Sequence, residues 1–145
     1  MSGYLLDTNV LAELRRPRPS ARVVGFVAAQ PLEQLFVSTV CLAEIRFGIE
    51  AVDDPKKRAE LAAWLSNVVR PMFGRRVIEV SEDVMFAWRV LVEDGRKSGH
   101  TFSQPDLIIA ASALCHGLTV VTRNAHDFTK TNVPLVNPWA RQPNG

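Results

Sequence analysis

Short apolar runs alternate with longer amphipathic stretches along this chain, and each run closes on a polar or turn-forming residue. Tyr4-Leu5-Leu6 ends at Asp7, Leu35-Phe36-Val37 at Ser38, and Leu118 to Val121 at Thr122. Runs this short predict strands buried on both faces when successive rather than alternate residues are apolar. They place strands at 3–7, Leu35–Ser38, Val77–Val80 and Leu118–Thr122, with a fifth at Pro134–Val136. Helices are predicted between them, from Thr8 to Arg15, from a Ser20 cap to about Gln30, and from Thr39 to about Val52. Asp54 caps a fourth with Pro55 at its first position, and that helix ends near Pro71. Ser81 opens a fifth reaching about Lys97, and a sixth runs from Gln104 to His116, stopped by Gly117. The segment 16–19 is a stiff connection, and 98–102 is a loop. Strands alternating with helices in this way predict one α/β domain over residues 1–145, its parallel sheet covered on both faces.

The predicted helices then expose a group of misplaced charges. Asp7 stands where the first strand gives way to a helix, a favoured place for a ligand in open α/β sheets. An Asp there also caps a helix, so position alone supports both roles equally. On the helix from Thr39, the neighbours of Glu44 one turn away are Val40, Cys41, Phe47 and Gly48, which puts a carboxylate on an apolar face. Arg46 and Glu50 are spaced as an i,i+4 pair on another face. Ser103 to Asp106 reads as a capping box, yet the helix it opens is apolar nearly all round, and a capping carboxylate is also rigid enough to bind a metal. Asp127 follows the fourth strand beside Asn124. Carboxylates so placed need a cation or hydrogen-bond donors, and oxygen-rich sets of this kind suit magnesium or manganese.

Composition narrows the field without deciding it. Hydrophobic residues make up 47% and charged residues 22%, ordinary for a soluble globular protein. Asp7 interrupts the first apolar stretch, so no signal peptide is visible, and the Leu107–Thr122 run is shorter than the ~20 residues of a spanning helix. A cytoplasmic protein without a membrane segment is expected. Cys41 and Cys115 lack zinc-ligand spacing and read as reduced core thiols. The net charge is only +2, but basic residues cluster at Arg15, Arg16, Arg18 and Arg22 and again at Lys56-Lys57-Arg58. Cations around an acidic centre suit a polyanionic substrate, and a solvated surface explains any single cluster as well.

Taken together, the motifs resemble the PIN domain family, and within it the VapC-like toxins and their FitB-like branch. Leu5-Leu6-Asp7-Thr8-Asn9-Val10-Leu11 looks like the first family motif, and Ser38 to Gly48, with Glu44, Arg46 and Gly48, like the second. Pro105 to Ala111 is similar to the third, Leu118 to Asn124 with Asp127-Phe128 to the fourth, and Asn137-Pro138-Trp139 to the FitB branch. The resemblance implies a Rossmann-like three-layer fold with a central parallel sheet, and a magnesium-dependent endoribonuclease in which manganese substitutes. It assigns Asp7, Glu44, Asp106 and Asp127 as catalytic and metal-binding acids, with Thr8, Asn9, Thr122 and Asn124 supporting them. Some members carry an acid where this chain has Asn124. The implied setting is an RNA-cleaving toxin, homodimeric, held by a DNA-binding antitoxin that blocks the cleft and joins it in a higher assembly.

Under that reading Asp7 and Asp106 bind metal, Glu44 positions water, and Asp127 assists a second ion. Two rivals remain. His100, His116 and His126 allow metal-free acid–base cleavage, and a silent PIN-like module would hold RNA or protein without cutting.

Overall fold

A computed structural model describes residues 3–100 and 103–140. Its five strands are β1 (Tyr4–Leu6), β2 (Leu35–Ser38), β3 (Val77–Ile78), β4 (Thr119–Val121) and β5 (Leu135–Val136). They form one sheet in the order β3-β2-β1-β4-β5, parallel throughout. The chain therefore builds outward from β1 on one side and then returns to β4 on the other. This order reversal opens a crevice at the carboxyl ends of β1 and β4, where Asp7 and Thr122 stand.

Strands β1 and β4 are buried along their carboxyl halves, with Leu5, Leu6, Val120 and Val121 at 0% exposure. The helices are α1 (Thr8–Arg15), α2 (Ala21–Ala28), α3 (Thr39–Glu50), α4 (Pro55–Trp64), α5 (Arg70–Phe73), α6 (Glu82–Lys97) and α7 (Gln104–His116). Helix α7 buries Leu107, Ile109, Ala110, Ala111, Ser112 and Ala113, and it lies against α6, α3 and β4. Its all-round apolar character is thus explained by core burial. Gly117 ends it at φ 65°, a left-handed cap that glycine adopts without a Cβ penalty. Asp54, Ser20 and Ser81 cap their helices through side-chain oxygens, as expected. Among the described residues no helix is long and apolar enough to cross a membrane.

Four expectations are corrected. The helix begun at Asp54 does not stop at Pro71: it passes through a π-helical turn at Leu65–Val69 and continues as α5 to Phe73. Arg70 N–H bonds to Leu65 O, five residues back, and the widened turn relieves the clash a proline ring makes with the carbonyl four residues earlier. Cys115 is exposed near the end of α7, not a core thiol, whereas Cys41 is buried as predicted. The buried stripe of α3 is Cys41, Leu42, Ile45 and Ile49, which leaves Phe47 78% exposed and Glu44 exposed as well. Arg46 and Glu50 form no ion pair; among the described residues such pairs involve Glu13 and Glu93. The loop predicted at 98–102 lies partly outside the described residues.

Candidate active site

Asp7 anchors the site. Its backbone N–H bonds to Val121 O at 2.9 Å, extending the β1–β4 ladder by one step, and its side chain is 5% exposed. Oδ1 accepts from Thr8 N–H at 2.8 Å, and Oδ2 accepts from the Thr122 hydroxyl at 2.8 Å and from Asn9 Nδ2 at 3.4 Å. Asp7 is therefore both the cap of α1 and the innermost carboxylate, so the two roles coincide. Thr122 is the hub of this corner, because its Oγ1 also accepts from Asn9 Nδ2 and from the Asn124 backbone N–H. Asn9 Oδ1 in turn accepts from Arg123 N–H at 3.1 Å. Burial raises the Asp7 pKa, and the bonds from Thr122 and Thr8 oppose that rise only in part.

Asp106 lies in the first turn of α7, half-buried. The expected capping box is not formed: Ser103 is the N-cap residue, but its side chain makes no capping bond. With no capping duty, the Asp106 carboxyl is pushed up to about 6 by burial and then by the charges of Asp7, Asp127 and Glu44. Glu44 is also raised, by partial burial and by Asp7. Asp127 sits in the 3-10 turn Ala125–Thr131, exposed, its N–H bonded to Asn124 O at 2.9 Å. The four acids thus share one electrostatic field, and no lysine or arginine pairs with any of them among the described residues.

Their placement is uneven. Asp106 and Asp127 line one cleft of about 310 Å³ with His100, His126 and Lys130, and Asp7 and Glu44 lie outside its lining. Among the described residues no three Asp, Glu, His or Cys side chains form a ready-made metal-ligand group. The chemistry of the donor set nevertheless fits a hard cation, being anionic, all-oxygen and without a fixed counter-ion. Thr8 adds an enclosed hydroxyl whose one recorded neighbour is the Cys41 thiol. The neighbouring Cys41 thiol is pushed up to about 12 by burial and then by Asp7, so it is neutral in the metal-free protein.

Sequence reading did not find Lys130 in the cleft or Glu13, which is buried on α1 with 6% exposure. Glu13 accepts from Ser20 N–H at 2.8 Å and lies 3.4 Å from Arg16. The Glu13–Arg16 spacing was its only visible signal.

The all-parallel sheet, with its order reversal between β1 and β4 and Asp7 at the carboxyl end of β1, is that of a PIN domain: the PIN domain family model matches residues 4–133, and the chain belongs to that family. It is 34% identical to Toxin FitB of Neisseria gonorrhoeae over 93% of this chain and 97% of that protein. A VapC ribonuclease of Sinorhizobium fredii is 33% identical, over 93% of this chain and 96% of its own length. The crystal structure of FitAcB from Neisseria gonorrhoeae matches with a TM-score of 0.88 at 34% identity, covering 94% of this chain and 98% of that one.

Proposed function

We propose that this protein is a magnesium-dependent endoribonuclease and the toxin of a toxin–antitoxin pair. The observation that carries the reading is that Asp7, Glu44 and Asp127 all act electrostatically on Asp106, with no lysine or arginine in an ion pair with any of the four among the described residues. Relatives named as a VapC ribonuclease and as Toxin FitB support RNA as substrate and toxicity as role. A cell carrying such an enzyme needs a partner that silences it, and a basic side chain in the acidic cleft suits that task.

Asp7 and Asp106 would hold the ion, with Glu44 and Asp127 beside them. A bound divalent cation supplies charge neutralisation at the phosphate and a more acidic water. Thr122, Thr8 and Asn9 keep Asp7 in one orientation, so that carboxylate needs no reorganisation during reaction. Glu44, exposed on α3, would orient the attacking water and take up its proton. The water oxygen bonds to phosphorus as the P–O3′ bond breaks, and the leaving O3′ takes a proton from solvent, giving a 5′-phosphate and a 3′-hydroxyl.

His100 and His126 line the same cleft, which gives metal-free acid–base cleavage a specific foothold as a second reading. The two differ in their products. Purified protein with single-stranded RNA and magnesium is expected to give 5′-phosphate ends and to stop with chelator. Cyclic 2′,3′-phosphate ends, or full activity in chelator, select the histidines instead. Expression without a partner is expected to arrest bacterial growth, and Asp7→Asn to relieve the arrest.

A further inference from the structure

Three stretches that are distant in sequence meet beside the acids. The end of α1 brings Arg15 and Arg16, the turn after β4 brings Arg123, and the segment after β5 brings Trp139. With Asn9 and Glu13 they line a groove of about 360 Å³. The Arg123 guanidinium carbon lies 5.4 Å from the Trp139 ring centroid. Trp139 is itself tied down: its N–H donates to Asn137 Oδ1 at 3.0 Å, and Arg22 Nη1 donates to its carbonyl at 3.2 Å. Asn137 Nδ2 in turn donates to Arg123 O at 3.4 Å, so the Asn-Pro-Trp segment braces the arginine from two sides.

The groove joins the acidic crevice through a single residue. Arg123 N–H bonds to Asn9 Oδ1, and Asn9 Nδ2 reaches Asp7 Oδ2. Its charge is opposite to that of the crevice, with three arginines against one carboxylate. Glu13 is committed to Ser20 N–H and Arg16 and only feels Arg123 at a distance, while the Arg15 guanidinium carbon lies 5.9 Å from the Trp64 ring centroid; neither Arg15 nor Arg123 is in a described ion pair.

We infer that this groove binds the backbone of single-stranded RNA flanking the phosphate to be cut, with Arg15, Arg16 and Arg123 on phosphates and the Arg123–Trp139 stack as a platform for a base. The inference rests on the reading of the acids as an RNA-cleaving centre. The physical reason is that a cluster of carboxylates repels a polyanion, so affinity must come from cations outside it. Planar guanidinium groups match phosphate geometry, and a guanidinium held on an indole presents a flat face to a base.

Binding is read apart from cleavage by the fluorescence anisotropy of a labelled single-stranded RNA of roughly 12 nucleotides, without divalent metal. Arg123→Gln, which keeps the backbone bond to Asn9, and the double variant Arg15→Gln/Arg16→Gln are each expected to weaken binding about tenfold at moderate salt. The slope of log affinity against log salt should flatten by roughly 0.7 for each phosphate that the variant no longer neutralises. Lys56→Gln/Lys57→Gln removes the same charge at the start of α4 and is expected to leave affinity within about twofold. The arginines of α1 are exposed, so the double variant reports even if Arg123→Gln disturbs folding. An equal loss in the lysine variant, or none in either arginine variant, overturns the groove. Failure of the wild type to bind RNA while it binds a polyglutamate peptide also overturns it, in favour of an acidic protein partner. RNA binding that depends on the arginines, without magnesium-dependent cleavage, upholds the groove and rejects the nuclease reading.

Discussion

Asp7 and Asp106 stand in the same acidic field and are held in opposite ways. Asp7 is buried at a strand end, with donors from Thr8, Asn9 and Thr122 fixing both oxygens. Asp106 stands at a helix start that its neighbour Ser103 does not cap, and its carboxyl is pushed up to about 6. One corner of the site is therefore built before any ligand arrives, while the other retains uncompensated charge. A fixed carboxylate can set position, and an unsatisfied one can supply affinity for a cation.

The largest expected effect treats the two corners alike. Asp7→Asn and Asp106→Asn should each lower RNA cleavage by roughly 100-fold or more, since either loses several kcal/mol of stabilisation at the reacting phosphate. Single-turnover rates on a defined RNA measure this. Near-normal activity in either variant would remove that acid from the catalytic set.

Next comes the support of the fixed corner. Thr122→Val removes the hydroxyl shared by Asp7, Asn9 and Asn124. We expect a loss of activity of roughly 10–100-fold, as is typical for groups that orient ligands, and about 1–3 kcal/mol of lost stability, because buried Asp7 Oδ2 keeps only the longer bond from Asn9 and the Asn124 N–H loses its acceptor. Urea titration and cleavage rates read the two effects separately. If only stability falls, the hub is structural and the orienting role is lost.

The open corner is sharpened by pH. Asp106 has an ordinary pKa of 3.8 and a folded value of about 6, so between these the folded state binds more protons than the unfolded chain. Stability of the metal-free protein should fall as pH rises through that window, with the penalty complete above it. Asp7 and Glu44 are raised as well and act in the same sense. Glu13 is lowered, chiefly by the Ser20 N–H, and acts in the opposite sense. The difference in stability between wild type and Asp106→Asn isolates the effect, because Glu13 is common to both. A difference that does not change between about pH 4 and pH 7 contradicts the shared field.

The smallest effect concerns the cap. Ser103→Ala should change stability by less than about 0.5 kcal/mol, because the hydroxyl makes no capping bond. Ser81→Ala, which loses a bond to Val84 N–H, should cost about 1 kcal/mol. Chemical denaturation of the pair distinguishes them. An equal cost would restore the capping box and tie Asp106 to it.

What was legible in the sequence divides along the same line. Asp7 could be placed because a strand end and a helix cap are both local signals, and the parallel order of strands then fixed its crevice. The caps at Ser20, Asp54 and Ser81 were likewise local and are formed. Glu44 was read as buried because its apolar neighbours include Phe47, yet which face of α3 meets the core depends on tertiary packing, and Phe47 is exposed. The Ser103–Asp106 spacing matched a capping box, but matching spacing does not make the bond form. The π turn before Pro71 was invisible because proline normally signals an end, and here the helix widened to keep it. The cluster at Arg15 and Arg16 was visible and was read as suiting a polyanion, but its meeting with Arg123 and Trp139 was not, since those come from the turn after β4 and the segment after β5.

Whether the open corner holds a divalent cation is tested most directly by thermal melts with and without magnesium. At about a hundredfold excess over its dissociation constant, magnesium should stabilise the wild type by ~2.7 kcal/mol near neutral pH. That corresponds to a melting temperature higher by roughly 5–10 °C for a chain of this size. Asp106→Asn is expected to lose most of the shift while melting no lower than the wild type when metal is absent. If Asp106→Asn keeps the whole magnesium shift, Asp106 does not bind the ion and the proposed metal site is wrong.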